Sequence, residues 1–235
     1  MEDRMNAALL FVLLDGDAQQ DLAQWEKRLR AIRGVSRVTF WDNSWVERTD
    51  WIGEWRQIKD DFKTLAVCEI DGPVESVKRP EGLRTILFRR AARPSQGVLR
   101  LPTKGLCIVI CSPGDVNDDE DAQKLRDWGD FVHFPGIVSA NIPGYGLVTP
   151  YENVDRSGPR FLHFYEFPEA DAEAVFQRTR PALAQRYDSQ PGEAAFEFWA
   201  FYPGMVLDYL GNFTRLGDIP EEVRYGPQRQ LASSS

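Results

Sequence analysis

Residues 127–140 read Asp127-Trp128-Gly129-Asp130-Phe131-Val132-His133-Phe134-Pro135-Gly136-Ile137-Val138-Ser139-Ala140, and this stretch decides how the fold is predicted. The Pro-Gly pair interrupts a helical pattern, so the stretch predicts the end of a helix, a break and the start of a strand. It also holds one of only two histidines in the chain. A weaker copy of the pattern, with Trp25 and Arg33-Gly34-Val35, lies in the first half and indicates an internal repeat.

The spacing of the two copies supports that repeat. Trp25 and Trp128 have the same separation as Val35 and Val138, and Glu69 and Glu166 follow at a slightly shorter one. Both halves show the order β-α-β-β-α-β, in which short continuous apolar runs predict buried strands. One such unit forms a four-stranded antiparallel sheet with two helices on one face. The open sheet face needs a cover, so the sequence predicts an α+β fold of two ferredoxin-like repeats packed sheet to sheet as a barrel.

The expected domain limits follow from this order. The first repeat is predicted over residues 1–93 and the second over 105–216. Residues 94–104 contain Arg, Pro, Gly and Ser and are predicted to be a linker. Residues 217–235 are predicted to form a loose tail.

Several elements are predicted less directly. A short, poor helix is expected within residues 73–83, where Pro80 and Gly82 interrupt it. The second half is expected to contain a strand over 139–149, a polar loop over 151–159, one helix over 170–187 and a strand over 196–202. These segments are interpreted from periodicity and turn residues alone.

The motif around His133 resembles the dimeric α+β barrel superfamily and, within it, EthD-like proteins. Those proteins commonly carry a Trp-Tyr-Asp-x-x-His-x-Pro helix, followed by a Pro-Gly-hydrophobic turn into a strand. This chain has Trp128-Gly129-Asp130-Phe131-Val132-His133-Phe134-Pro135 and then Gly136-Ile137-Val138, with Gly129 in place of the tyrosine. The resemblance implies that the two halves form, within one chain, a barrel that single-repeat relatives make by dimerising.

The resemblance also indicates where a site would lie. In this superfamily a pocket lies between sheet and helices or within the barrel. Members include polyketide cyclases, lactone isomerases, quinol-forming monooxygenases and haem enzymes. The fold therefore does not select a reaction by itself.

Composition restricts the partners. The chain has 235 residues and a formal net charge of −8, which disfavours binding to nucleic acids or to anionic membranes. No apolar run reaches the ~20 residues of a membrane span, and no signal-peptide pattern is present. We therefore expect a cytoplasmic protein that binds a small molecule and forms a possible homodimer. The three cysteines are expected to be buried core residues.

His133 is the best candidate for proton transfer, because an imidazole titrates near neutral pH. Asp130 lies three residues earlier on the predicted helix and could orient the ring. The alternative is a histidine at a helix terminus that bonds a carbonyl group and interacts with the helix dipole.

Two further side chains are candidates for polarising a substrate oxygen. His163 alternates with Phe161, Tyr165 and Phe167 on one face of a strand, where it either lines a pocket or belongs to the core. Tyr145 lies between Gly144 and Gly146 and is expected to expose its hydroxyl group as a hydrogen-bond donor to a substrate.

Aromatic residues are the candidates for substrate binding: Trp128, Tyr165, Trp45 and Trp55. The last two belong to a segment with four tryptophans between Trp41 and Trp55. That segment is either a lid over a pocket or a connection held against the body by aromatic burial.

No metal and no cofactor are expected. Asp115, Asn117, Asp119 and Asp121 imitate the start of a calcium loop, but Glu120 replaces its glycine, and acidity at a helix N-terminus explains the cluster better. The first hypothesis is therefore an enzyme, a cofactor-independent isomerase, cyclase or lyase acting on an aromatic or polyketide-like substrate. The alternatives are a non-catalytic ligand-binding or self-assembling barrel and, third, a haem-dependent enzyme.

Overall fold

A computed structural model describes residues 8–15, 21–43, 54–55, 62–156 and 158–217. In the first half, β1 (Ala8–Leu14) leads into α1 (Leu22–Arg30), β2 (Val35–Asn43), the short β3 (Glu54–Trp55), β4 (Thr64–Ile70) and β5 (Arg84–Arg90). Every residue of β1 and β4 is buried, as their continuous apolar sequences predict.

The second half begins after β6 (Gln96–Gly97), a two-residue strand inside the predicted linker. Its elements are β7 (Gly105–Ser112), α2 (Asp119–Trp128), α3 (Phe134–Ser139), β8 (Leu147–Asn153), β9 (Phe161–Phe167), α4 (Ala172–Gln177), α5 (Thr179–Tyr187), α6 (Ala194–Ala200) and β10 (Val206–Leu216). A π-helical turn, Gly129–His133, joins α2 to α3.

The strands close into a barrel. Their order is β2-β4-β1-β5-β8-β9-β7-β10, and β10 also pairs with β2. Without the short β3 and β6, each half has four strands, β1, β2, β4 and β5 in the first and β7, β8, β9 and β10 in the second. In each half the fourth of these pairs with the first, the first with the third, and the third with the second, which is the ferredoxin-like order. The predicted α+β fold of two such repeats, packed as a barrel, is confirmed.

Side chains on the two faces of each strand form separate cores. One core fills the barrel and includes Phe11, Val67, Ile108 and Phe164. A second lies outside the second-half sheet, under the helices, and includes Phe134, Tyr165 and Phe196. Both predicted histidines line a cavity together with residues of this second core, so the site lies outside the barrel interior.

The Pro135-Gly136 pair does not end the helix. The predicted break and strand start within residues 127–140 are therefore wrong. Pro135 lies in the first turn of α3, where its missing N–H group costs no hydrogen bond. The second strand of this half consequently begins at Leu147 instead of Ser139. The equal spacing of Val35 and Val138 is therefore not a structural correspondence, because the first lies in β2 and the second in α3.

Other differences have similar causes. The helix expected within residues 73–83 is only a 3₁₀ turn, Val74–Ser76. The segment 196–202, expected to be a strand, lies mainly in helix α6. Its aromatic residues Phe196 and Trp199 are buried at helical spacing. The helix over 170–187 is divided into α4 and α5, and β8 extends into the expected polar loop.

The acidic cluster acts as a helix cap. The Asp118 side chain accepts hydrogen bonds from the backbone N–H groups of Glu120 and Asp121 at the start of α2. Asp115 accepts a hydrogen bond from the backbone N–H of Asn117. Among the described residues, no helix has the length and apolar character needed to cross a membrane.

Candidate functional site

A cavity of about 110 Å³ lies between the outer face of the second-half sheet and its helices. The sheet contributes Val109, His163, Tyr165, Leu207 and Leu210. The helices and the segments beside them contribute Trp128, His133, Ile137, Phe176, Thr179, Phe196 and Trp199. The lining is mainly aromatic and aliphatic, with a few polar groups, which is the usual composition of a small-molecule site.

A π-helical turn brings His133 to this cavity. Gly129–His133 form five-residue hydrogen-bonded turns between α2 and α3, and such π-bulges frequently occur at functional sites. The wider turn changes the direction in which the following side chains project, so a regular heptad reading of the sequence does not give the orientation of His133.

The His133 imidazole packs against two indole rings. Trp199 stacks on it with a centroid distance of 4.8 Å and an interplanar angle of 13°, and Trp128 packs at 4.8 Å and 32°. This arrangement fixes the plane of the ring.

Hydrogen bonding fixes the tautomer of the same ring. His133 Nδ1 lies 3.2 Å from the backbone oxygen of Trp199, which can only accept, so Nδ1 carries the proton. The Trp199 indole Nε1 donates in return to the His133 backbone oxygen at 2.9 Å. Within the described part of the chain, Nε2 has no hydrogen-bond partner, so it remains an acceptor.

Burial keeps His133 neutral. Removal from water lowers its pKa from 6.5 to about 4, although the Trp199 carbonyl group favours the protonated form. A neutral imidazole with its Nδ1 proton committed to a carbonyl group is a hydrogen-bond acceptor at neutral pH.

Asp130 does not orient His133, which corrects the expected acid/base pair. Its carboxylate forms an ion pair with Arg93, whose guanidinium group also bonds Asp127 at 2.8 Å. The π-helical turn separates Asp130 from the face that carries His133. Burial raises the Asp130 pKa, and the Arg93 charge opposes that shift.

His163 lies on β9, with its ring centroid 6.1 Å from that of His133. Its Nε2 is 3.9 Å from the Cys111 sulfur, and its buried Nδ1 has no hydrogen-bond partner in the described residues. Burial first, and then repulsion from His133, lower the His163 pKa to about 3. Both predicted histidines therefore meet at one cavity, and both are neutral.

The two tyrosines make different contacts. The Tyr145 hydroxyl pairs with Thr179 Oγ1 at 3.1 Å and is not free to contact a ligand without losing that bond. Among the described residues, no hydrogen bond engages the hydroxyl of Tyr165, which lines the cavity. Burial raises the pKa of both tyrosines, so both remain protonated at neutral pH.

Of the tryptophans predicted to bind substrate, only Trp128 can be placed at the site. Trp45 lies outside the described residues. Trp55 is described only as a strand position that pairs with Leu207. Trp199 and Phe196 were missed, because their segment was interpreted as a strand. Trp199 at helical spacing from Phe196 was the signal that could have identified them.

No metal centre is apparent at these side chains. Over the described ranges, no group of three or more His, Cys, Asp or Glu residues is positioned to hold a metal ion. Burial raises the pKa of Cys111 well above its ordinary value, which disfavours the thiolate form that binds metals.

Comparison with known proteins gives similarity of fold only. No protein-family model and no curated protein match the chain. A mutant chlorite dismutase from Candidatus Nitrospira defluvii, in complex with cyanide, has a TM-score of 0.50 and 10% identity, with 92% of this chain and 96% of that chain covered.

Two further solved structures are similar at lower scores. The encapsulated DyP-type peroxidase from Mycobacterium smegmatis gives a TM-score of 0.48 at 8% identity and covers 90% of this chain and 93% of its own. A major regulator of staphylococcal pathogenesis gives a TM-score of 0.49 at 11% identity, with 89% of this chain and 99% of that chain covered. What the chain shares with the chlorite dismutase structure is its fold, an α+β barrel of ferredoxin-like repeats.

These findings correct the first functional hypothesis, a cofactor-independent isomerase, cyclase or lyase. The solved structure that reaches a TM-score of 0.50 is named as a chlorite dismutase, not as an isomerase, a cyclase or a lyase. Within this chain, the Asp130–His133 pair required by the acid/base mechanism is not formed.

Proposed function

We propose that this protein binds a neutral, ring-sized organic molecule in the cavity beside His133. The observation that carries the proposal is the state of the His133 ring. Its ring packs against two indoles, its Nδ1 proton is committed to the Trp199 carbonyl group, and its Nε2 has no hydrogen-bond partner among the residues that the structure describes. The ring lines an aromatic cavity. An immobilised acceptor in an apolar cavity is suited to one O–H or N–H donor.

Cavity size supports a small ligand. Its volume of about 110 Å³ is lower than the ~150 Å³ of an apolar cavity known to hold benzene, so a phenol requires a slight expansion. The Tyr165 hydroxyl provides a second polar contact at the wall. A cationic ligand is disfavoured, because burial keeps both histidines neutral and Arg180 also lines the cavity.

A haem-dependent enzyme is the second candidate, and the His133 ring provides one feature in its favour. An imidazole with Nδ1 bonded to a carbonyl group and Nε2 unpartnered has the arrangement of a metal-binding histidine. The surrounding residues do not fit haem. The cavity is well below the roughly 300–1,000 Å³ of pockets for drug-sized ligands, and Trp128 and Trp199 pack directly against the imidazole.

Three finer expectations remain predictions beside this proposal. An EthD-like relationship is supported only by the position of the cavity beside the motif histidine. A homodimer and the proposed division into residues 1–93 and 105–216 require measurements of mass in solution and of fragment folding.

Replacing His133 by asparagine should selectively weaken the binding of hydroxylated ligands. The asparagine amide occupies the position of Nδ1 and can still donate to the Trp199 carbonyl group, but no acceptor remains at the position of Nε2. We expect the preference for phenol over toluene to fall about tenfold, as for the loss of one buried hydrogen bond. Calorimetric titration of both ligands into both proteins measures this ratio.

A control and a competing outcome accompany this test. His133→Gln keeps a polar group near the Nε2 position and should retain more of the phenol preference than His133→Asn. An unchanged phenol-to-toluene ratio in His133→Asn would contradict the role of Nε2. Stoichiometric haem binding with a Soret band that His133→Asn abolishes would instead favour the haem-dependent alternative.

A further inference from the structure

A second concave region lies directly beside the cavity. This groove has a volume of about 240 Å³ and is bounded by β6, α3 and β8. Its lining includes Gln96, Val98, Val138, Asn141, Ile142, Leu147 and Val148. The groove is therefore mainly apolar, with two amide side chains.

Two residues line both spaces. Ile137 on α3 and Tyr145 in the turn before β8 contribute to the cavity and to the groove. Their side chains therefore form the wall between the two spaces. Ile137 is 3% exposed and Tyr145 is half-buried. The Ile137 part of the wall is therefore tightly packed, whereas part of Tyr145 is accessible to solvent.

Tyr145 is anchored in this wall by its ring and its hydroxyl. The ring packs against Phe167 at 4.8 Å and against Tyr165 at 5.9 Å, and the hydroxyl pairs with Thr179 on α5. The adjacent glycines bring the turn close to its neighbours. A Cβ atom at Gly146 would lie 2.7 Å from the Glu166 backbone oxygen, so a side chain there would displace the turn.

We propose that the wall formed by Ile137 and Tyr145 limits the length of the ligand, and that its removal lets an alkyl chain extend from the cavity into the groove. The inference rests on the proposed function and specifies the ligand class, a phenol without a para substituent. Cavity and groove together reach the lower end of the ~300–1,000 Å³ range of drug-sized ligand pockets. The apolar lining of the groove is suited to methylene groups.

The test measures the affinity of phenol and its para-ethyl, para-butyl and para-hexyl derivatives for the full chain and its variants. We expect the wild-type protein to gain no affinity from any para substituent, because its cavity already has to expand for phenol. In Tyr145→Ala and in Ile137→Ala, each added methylene should tighten binding by about fourfold until the groove is filled. Tyr145→Phe keeps the ring and should retain the wild-type length limit.

Val138→Ala is the matched control, because Val138 is adjacent to Ile137 on α3 but lines only the groove. It should keep the wild-type limit. If the wild type already gains affinity through the hexyl derivative, or if Val138→Ala behaves like Ile137→Ala, the wall does not select ligands and the inference is overturned while ligand binding stands. If no protein binds any member of the series, both the inference and the proposed function fail for this ligand class.

Discussion

Gly136→Ala is expected to lower the free energy of unfolding by about 2–4 kcal/mol and to disturb the His133 site. An alanine Cβ would lie 2.2 Å from Trp199 Nε1 and 2.6 Å from the Tyr187 hydroxyl. Trp199 is a large buried ring that stacks on His133 and lines the cavity, so it can move only by giving up that stacking and entering the ligand space. Its displacement would also break its hydrogen bond to the His133 backbone oxygen.

Gly129→Ala is the matched control in the same helical run. A Cβ there would meet His163 Nε2 at 3.8 Å, which is an ordinary contact. Alanine should be neutral or stabilising at that position by up to about 1 kcal/mol, from helix propensity. Chemical denaturation of both variants, with near-ultraviolet circular dichroism to follow Trp199, provides the measurement. Equal stability of the two variants would show that the packing against Gly136 is not tight.

The same glycine explains why the sequence misled at this point. Pro135-Gly136 is a strong local signal for a break, and local signals are all that one sequence supplies. The tertiary contact decides otherwise, because Trp199, 63 positions further on, needs a residue without a side chain on the helix that it crosses. The sequence contains both residues but nothing that pairs them.

Strands were predicted well where both of their faces are buried. The apolar runs of β1, β4 and β9 are buried at every position, so their strand assignment did not depend on knowing which face is inside. Glu69 and Glu166 also occupy corresponding places on β4 and β9, and both are buried. The repeat was therefore recoverable from its strands, whereas the helical connections diverged.

The site was recovered in part for a related reason. His133 and His163 were selected by rarity and residue type, and the fold brings their rings to 6.1 Å. Asp130 was selected by helical spacing, which the π-helical turn invalidates. The role of Trp199 depended on recognising α6, whose aromatic run resembles a strand as much as a buried helix.

Burial of both histidines leads to the second large expected effect, a loss of stability on acidification. Folding lowers their pKa values from 6.5 to about 4 for His133 and about 3 for His163. Above pH ~6.5 both folded and unfolded states are neutral, so the histidines contribute no pH dependence. Between pH ~6.5 and 4 only the unfolded state takes up protons, so the free energy of unfolding falls as pH falls.

Glu166 opposes this trend and must be removed to reveal it. Burial raises its pKa from 4.5 to about 7, against the hydrogen bond from Thr103 and the charge of Arg37. As pH falls, the folded state therefore takes up the Glu166 proton before the unfolded state does. The stabilisation from this proton is fully present below pH ~4.5 and is lost as pH rises through 7. In the wild type, the two effects partly cancel between pH 4.5 and 6.5.

The decisive comparison is between Glu166→Gln and the double variant Glu166→Gln/His163→Leu. In Glu166→Gln the unfolding free energy should fall by about 3 kcal/mol per histidine between pH 7 and 4.5, as two groups resist protonation in the folded state. The double variant should lose about half of that fall, because leucine of similar volume replaces one titrating ring and its unpartnered Nδ1. Denaturant titrations at pH 7, 5.5 and 4.5 give the slopes, and Asp127 and Asp130 contribute equally to both proteins. Identical slopes would mean that His163 is hydrated or protonated in the folded state, and the description of the cavity as a site that keeps its histidines neutral would then be wrong.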